Sequence, residues 1–269
     1  MQNSGIKESG RLLAFTHRLC CSLLAAAFIA TLATLFVPMD SNWPEASLIL
    51  LSAISTVTAL ARHLPLQNVL LATVGIALIG SGAFVLGLHT GIPFGPFFQG
   101  PEAEAIPFKT LPWPIPLLWI VVVLNSRGVA RLILRPWRKI RAYGYWLIGF
   151  TAILTVLFDL ALDPFAWRIR HYWIWAPTKL SLAWQGAPLS NFISWGMVTI
   201  LILAFVTPAL INKQLSKRSA PDLLPLAVWL GGVVLFGIAS ATHEFRVAVS
   251  ADTIIFIVTA FFAVRGAKW

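Results

Sequence analysis

Apolar residues run through this chain in eight blocks with polar residues confined between them. The blocks lie at about Leu19–Pro38, Ala46–Ala61, Asn68–Leu88, Leu111–Leu134, Ala142–Leu162, Leu189–Ile211, Leu223–Ala241 and Val247–Val264. Stretches of this length with so few charges predict membrane-spanning helices, because only a helix satisfies every backbone N–H and C=O inside hydrocarbon. The expected fold is all-α: a polytopic transmembrane helical bundle of about eight spans, with seven as the lower count. Nothing between the blocks has the make-up of a separate soluble domain, so residues 1–269 are read as a single integral membrane domain.

Composition agrees, with 58% hydrophobic and 11% charged residues and a mean hydropathy of +0.81. The first block follows basic residues and is rich in alanine, as a signal peptide would be. Its apolar run is too long for the core of such a peptide, so a retained helix is expected. Cys20 and Cys21 are adjacent inside that block. Neighbouring cysteines rarely bridge, and no spaced thiol or histidine partner suggests a metal site, so they read as packed or lipid-facing residues.

Basic residues predict the orientation. With the amino terminus inside, Lys7, Arg11, Arg18, Arg62, the Arg127–Arg141 cluster, Lys213, Lys217, Arg218, Arg265 and Lys268 all fall on one face. They make 15 of the 20 Lys and Arg, which predicts cytoplasmic termini and a multi-pass protein of the cytoplasmic (inner) membrane. The net charge of +10 is then a matter of topology and anionic lipid. Because the basic residues are spread over several turns at the bilayer surface, no nucleic-acid partner is expected.

The opposite face carries the candidate chemistry. Asp159 and Asp163 stand one helical turn apart in FDLALDP, at the end of a long apolar block. Like charges at that spacing repel, and ionisable groups at membrane depth are costly. The pair therefore needs a cation, with Arg168 or Arg170 as candidates, or one carboxyl must keep its proton and become available for acid catalysis. Asp252 lies about two turns into the last block and is either functional or held by an interhelical hydrogen bond or Arg246. Arg127 is expected to snorkel, and Glu102 and Glu104 to be solvated loop acids. The Gly- and Pro-rich run from Gly91 to Pro112 must stop the third helix near Thr90. Phe94, Phe97 and Phe98 are expected to fold back from it as an apolar lid. Trp167, Trp173, Trp175 and Trp184 exceed what interfacial anchoring needs, which predicts a re-entrant or surface-lying segment over a cavity. Ser190 or Asn191 is an expected N-cap for the sixth helix.

Several chemistries lose ground. His89, His171 and His243 are isolated, without the clusters a di-iron site needs, and no metal site is expected. FDLALD lacks the NDxxD-type spacing of membrane prenyltransferases. There is no GxSG serine with a downstream histidine pair, no phosphate loop, no dinucleotide fingerprint and no evident internal repeat.

GLHTGIPFG, LPWPIPLLW, DLALDP, the WIW segment and GAPLSNFISW, in this order between Gly82 and Trp195 (82–195), resemble the carotenoid-biosynthesis membrane family. That family includes hydratases acting on the linear ends of gamma-carotene and of bacterioruberin precursors. The flanking helices resemble it only in hydropathy. The resemblance implies a substrate-binding set of Thr90, Gly91, Pro93, Phe94, Gly95, Trp119, Trp173, Trp175 and Trp195. It implies a catalytic set of Asp159, Asp163 and Asn191, and it also covers Pro164, Pro188 and Phe192. The family pattern has a glutamate about one turn before TG-PFG, where this chain has Phe84, and tyrosines where it has Phe97 and Phe98. The implied reaction is cofactor-independent hydration of a terminal C=C of a linear carotenoid. Alternatives are a lycopene-type cyclase, or a non-catalytic carotenoid- or lipid-binding or transport protein. Expected partners are membrane lipid, a hydrophobic carotenoid and other enzymes of the pathway.

Overall fold

The computed structural model describes residues 2–37, 43–100, 111–177, 182–211 and 221–269, with side chains from Ala14 onward. Glu102, Glu104, Lys213, Lys217 and Arg218 lie outside the described residues. Among the described residues, eight helices are long and apolar enough to cross a membrane. They are α1 (Gln2–Ala33), α2 (Trp43–Ala61), α3 (Leu66–Thr90), α4 (Pro114–Ile133), α5 (Tyr143–Asp163), α6 (Leu189–Val206), α7 (Leu224–Thr242) and α8 (Arg246–Ala267). An even number of crossings brings both termini to one face of the bundle. The ends of α1, α3, α5 and α7 and the starts of α2, α4, α6 and α8 share the other face.

α4 is the central helix, packed against α2, α3, α5, α7 and α8, whereas α1 packs mainly along α2. Polar ties through the bundle explain some of α4's sequence. Asn125 donates to Thr56 Oγ1 at 3.0 Å, and the Trp229 indole N–H donates to Ser126 at 3.1 Å. Arg127 does not snorkel. It is 6% exposed, and its guanidinium donates to the Leu210 carbonyl at 3.1 Å. That carbonyl closes the 3-10 turn Thr207–Leu210 after α6, so a helix-end acceptor inside the bundle outcompeted the distant interface.

α3 approaches α4 closely at Gly80. A Cβ there would lie 2.3 to 2.6 Å from the indole of Trp119, a side chain 1% exposed. Gly80→Ala should therefore lower stability by about 1–3 kcal/mol despite alanine's better helix propensity, since the ring has no room to retreat. Thermal unfolding in detergent would read this as a lower midpoint, and an unchanged or raised midpoint would refute it.

The expected stop of α3 is where the chain turns. Gly91 adopts φ 73° and returns its N–H to Gly87, and the Thr90 hydroxyl bonds the Leu86 carbonyl at 2.7 Å while accepting the Ile92 N–H. Pro164, in contrast, does not end the fifth span. The helix widens into a π-helical turn, Pro164–Ile169, in which the Arg170 N–H reaches back five residues to Phe165. This wide turn sends the chain back over the bundle end as β2 (Trp173–Trp175), paired antiparallel with β1 (Phe97–Gln99). A second short pair, β3 (Ala183–Trp184) and β4 (Ala187–Pro188), leads into α6. Trp173 and Trp175 thus lie on a strand over the bundle end, the surface-lying alternative of the two expected and not the re-entrant one. Strand alternation also corrects the three-phenylalanine lid: Phe94 and Phe97 are buried, but Phe98, opposite Ile174, points outward at 64% exposure.

Candidate active site

Asp159 and Asp163 are both completely buried at the end of α5. Asp163 Oδ1 accepts the Trp173 indole N–H at 3.0 Å, and the Trp175 indole N–H lies 3.3 Å from each Asp163 oxygen. The β2 alternation makes this possible, because Trp173 and Trp175 occupy the same inward face of one strand. Asp159 Oδ2 accepts the Asn191 amide N–H at 2.8 Å. Its Oδ1 is buried with no hydrogen-bond partner in the protein.

The arginines proposed as counter-ions are engaged elsewhere. Arg170 pairs with Glu45 and donates to Thr34 Oγ1, while Arg168 bonds Gln185 at 2.9 Å and sits 4.4 Å over the Phe245 ring. Neither expected N-cap of α6 caps it. The cap position is Pro188, the Ser190 hydroxyl bonds the Phe94 carbonyl, and the Asn191 amide is spent on Asp159. Asn191 was drawn inward because a buried carboxylate without a donor costs more than an uncapped helix start.

Two hollows adjoin this pair. The smaller, about 30 Å³, is lined by Phe84, Phe94, Phe97, Ile115, Leu118, Trp119, Trp173, Trp175, Asn191 and Trp195. It is an aromatic box with one amide. Trp119 and Trp195 stack in it at 4.1 Å and 21°, and Phe97 meets Trp175 edge-on at 5.5 Å. The larger hollow, about 760 Å³, lies between α1, α2, α4, α5 and α7 and shares Phe84, Ile115, Leu118 and Trp173 with the box. Along α7 it reaches from Leu224 to Phe236, roughly 18 Å at 1.5 Å per residue. Its size suits a small-molecule ligand, and its walls are almost entirely apolar. The two carboxyls stand one layer behind these walls, reached through Asn191, Trp173 and Trp175.

Homology places these features in a family. The sequence profile described as "Carotenoid biosynthesis protein" matches residues 45–259. The chain belongs to that family. The chain is also 29% identical over 175 residues to the bisanhydrobacterioruberin hydratase of Haloarcula japonica, covering 62% of this chain and 56% of that protein. The aligned part thus spans little more than half the length of that relative. No solved structure matches the chain. The match extends well beyond Gly82–Trp195 and takes in α7, most of α2 and the first part of α8, while α1 lies outside it.

Of the residues picked out in the sequence, the fold gathers Asp159, Asp163, Asn191, Phe94, Trp119, Trp173, Trp175 and Trp195 at one place. Pro93 supports it from behind, its carbonyl accepting the Ser194 hydroxyl at 2.6 Å, and Gly91 and Gly95 shape the loop with positive φ. Thr90 is exposed and lines neither hollow. Asp252 forms neither of its expected bonds: both carboxylate oxygens are buried without a hydrogen-bond partner, and the side chain abuts Gly237. Cys21 contacts the His17 ring one turn earlier. No group of three His, Cys, Asp or Glu among the described residues could hold a metal ion.

Sequence reasoning missed Glu45 and Tyr172. The Tyr172 hydroxyl donates to Glu45, and both line the larger hollow. An acid in the first turn of a helix reads as a partner of the helix dipole, which conceals a contact formed across 127 residues.

Proposed function

We propose that this protein hydrates a terminal C=C of a linear carotenoid, with the polyene in the larger hollow and its end group against the wall of Phe84, Ile115, Leu118 and Trp173 that this hollow shares with the aromatic box. One observation carries the reading. Of the four oxygens in the buried aspartate pair, three accept an N–H and Asp159 Oδ1 accepts none. A carboxylate ringed by indole N–H groups holds its charge, so Asp163 is the anion. Asp159 Oδ1 is the oxygen that carries the proton.

Protonation of the end-group alkene at one carbon leaves a tertiary cation at its neighbour, to which water adds. Aromatic faces around the box supply about 1–2 kcal/mol of cation stabilisation where water is excluded, and the Asp163 charge opposes the cation from behind. Thr90 and Gly91 have a structural part here, in ending α3 so that Phe94 reaches the box. The distribution of basic residues supports a location in the cytoplasmic membrane with both termini inside. Lipid surrounds the bundle, and enzymes that make or consume the same polyene are its natural neighbours.

Expression in a cell that accumulates linear carotenes tests this. The expected product is more polar and heavier by one water. A product of unchanged mass would instead indicate cyclisation, which begins with the same protonation, and unmodified bound pigment would indicate a binding protein.

A further inference from the structure

Glu45 is the one charged residue among the described residues that line the larger hollow. It stands at the start of α2, on the bundle face where α5 ends and α4 begins, so it shares the Asp159/Asp163 end of the molecule. Its carboxylate is held by the Arg170 guanidinium on one oxygen and the Tyr172 hydroxyl on the other. The cluster is only partly buried, with the side chains of Arg170 and Glu45 25% and 13% exposed, and it lies at the end of the bundle. Arg170 Nε is buried and has no acceptor in the protein. Trp173 lies between the two acidic centres, its indole N–H on Asp163 and its ring in the wall of the same hollow as Glu45.

We propose that Glu45, oriented by Arg170 and Tyr172, is the group that positions and deprotonates the attacking water. This rests on the hydration reading above. An apolar hollow needs a polar inlet for its co-substrate, and this cluster is the place where the hollow's wall, a carboxylate and outside solvent meet.

The step balances. The Asn191 amide, which bonds Asp159 and lines the box, turns aside, and the alkene π pair then takes the Asp159 proton and forms a C–H bond. A water lone pair forms the C–O bond at the cationic carbon, and the surplus water proton goes to the Glu45 carboxylate. That proton leaves to the solvent reaching Glu45, and Asp159 takes one up in exchange, so the sum is alkene plus water to tertiary alcohol. Protonation and water capture are therefore separable, each with its own carboxyl group.

The test uses the purified full-length protein in liposomes, supplied with lycopene in deuterated water. Alcohol reports water capture, and deuterium in the recovered polyene reports protonation followed by proton loss. Glu45→Gln should lower alcohol at least tenfold while deuterium uptake persists or rises, because the cation then reverts by losing a proton. Glu45→Asp, which keeps the charge, should restore alcohol to within a few-fold of wild type. If Glu45→Gln does not accumulate folded, Tyr172→Phe takes its place with the same expected split. Alcohol at the wild-type level, or alcohol and deuterium falling together in a folded variant, overturns the proposal. Wild type that forms neither alcohol nor labelled polyene overturns the hydration reading itself, and so is told apart from failure of the Glu45 assignment.

Discussion

Replacing Asp159 by asparagine is expected to lower alcohol formation at least about 100-fold, the scale lost when a positioned general acid is removed. The substitution is nearly isosteric, and the carboxamide oxygen can still accept the Asn191 N–H. What it lacks is a proton acidic enough to give to an alkene. Asp163→Asn should cost less, about tenfold. Its carboxamide oxygen still receives the Trp173 indole N–H, but the negative charge opposing the cation is gone. Each carboxamide places an NH2 where a carboxyl oxygen stood, without a partner in Asp159→Asn and against the Trp175 indole N–H in Asp163→Asn, so the variants are compared at equal amounts of folded protein. The measurement is pigment analysis by chromatography in membranes, normalised to protein content. Undiminished alcohol in both variants would remove the aspartates from the chemistry.

Trp119→Ala should produce the largest loss of stability, about 3–5 kcal/mol. The ring is 1% exposed and stacks on Trp195 at 4.1 Å, with Phe94 at 6.5 Å and the Gly80 backbone face pressed against it. Lipid is as apolar as the side chain, so the loss is one of packing contacts and not of transfer from water. The resulting void is enclosed by α3, α4 and α6 and cannot be filled by acyl chains. Thermal denaturation in detergent would show the drop. A variant as stable as wild type would mean that the bundle collapses onto the gap, and that the box is not rigidly framed.

The carotenoid biosynthesis family, the count of spans and the end of α3 could all be read along the chain. Hydropathy is a local property, and bilayer thickness sets the length of each span. Gly91, which readily takes positive φ, and Pro93, which has no N–H to donate, together stop a helix by local chemistry alone. The pairing of Asp159 with Asp163 was equally legible, since a spacing of four places two side chains on one helix face whatever surrounds them.

The partners of those side chains were not legible, because each is set by which segments meet at the bundle end. Asn191 reads as a cap until α6 packs on α5, and its amide then finds a donorless carboxylate. Arg170 reads as the aspartates' counter-ion until the π-helical turn after Pro164 swings it toward Glu45. Arg127 reads as an interfacial cation until the end of α6 offers it a carbonyl. In each case a long polar side chain chose among several partners of similar intrinsic strength. Burial made the difference, because inside hydrocarbon an unpaired polar group costs more than any local preference can offset. Local sequence therefore determined the helices and the acid pair, and tertiary packing decided which groups hold that pair, where the hollows lie and which acid lines the larger one.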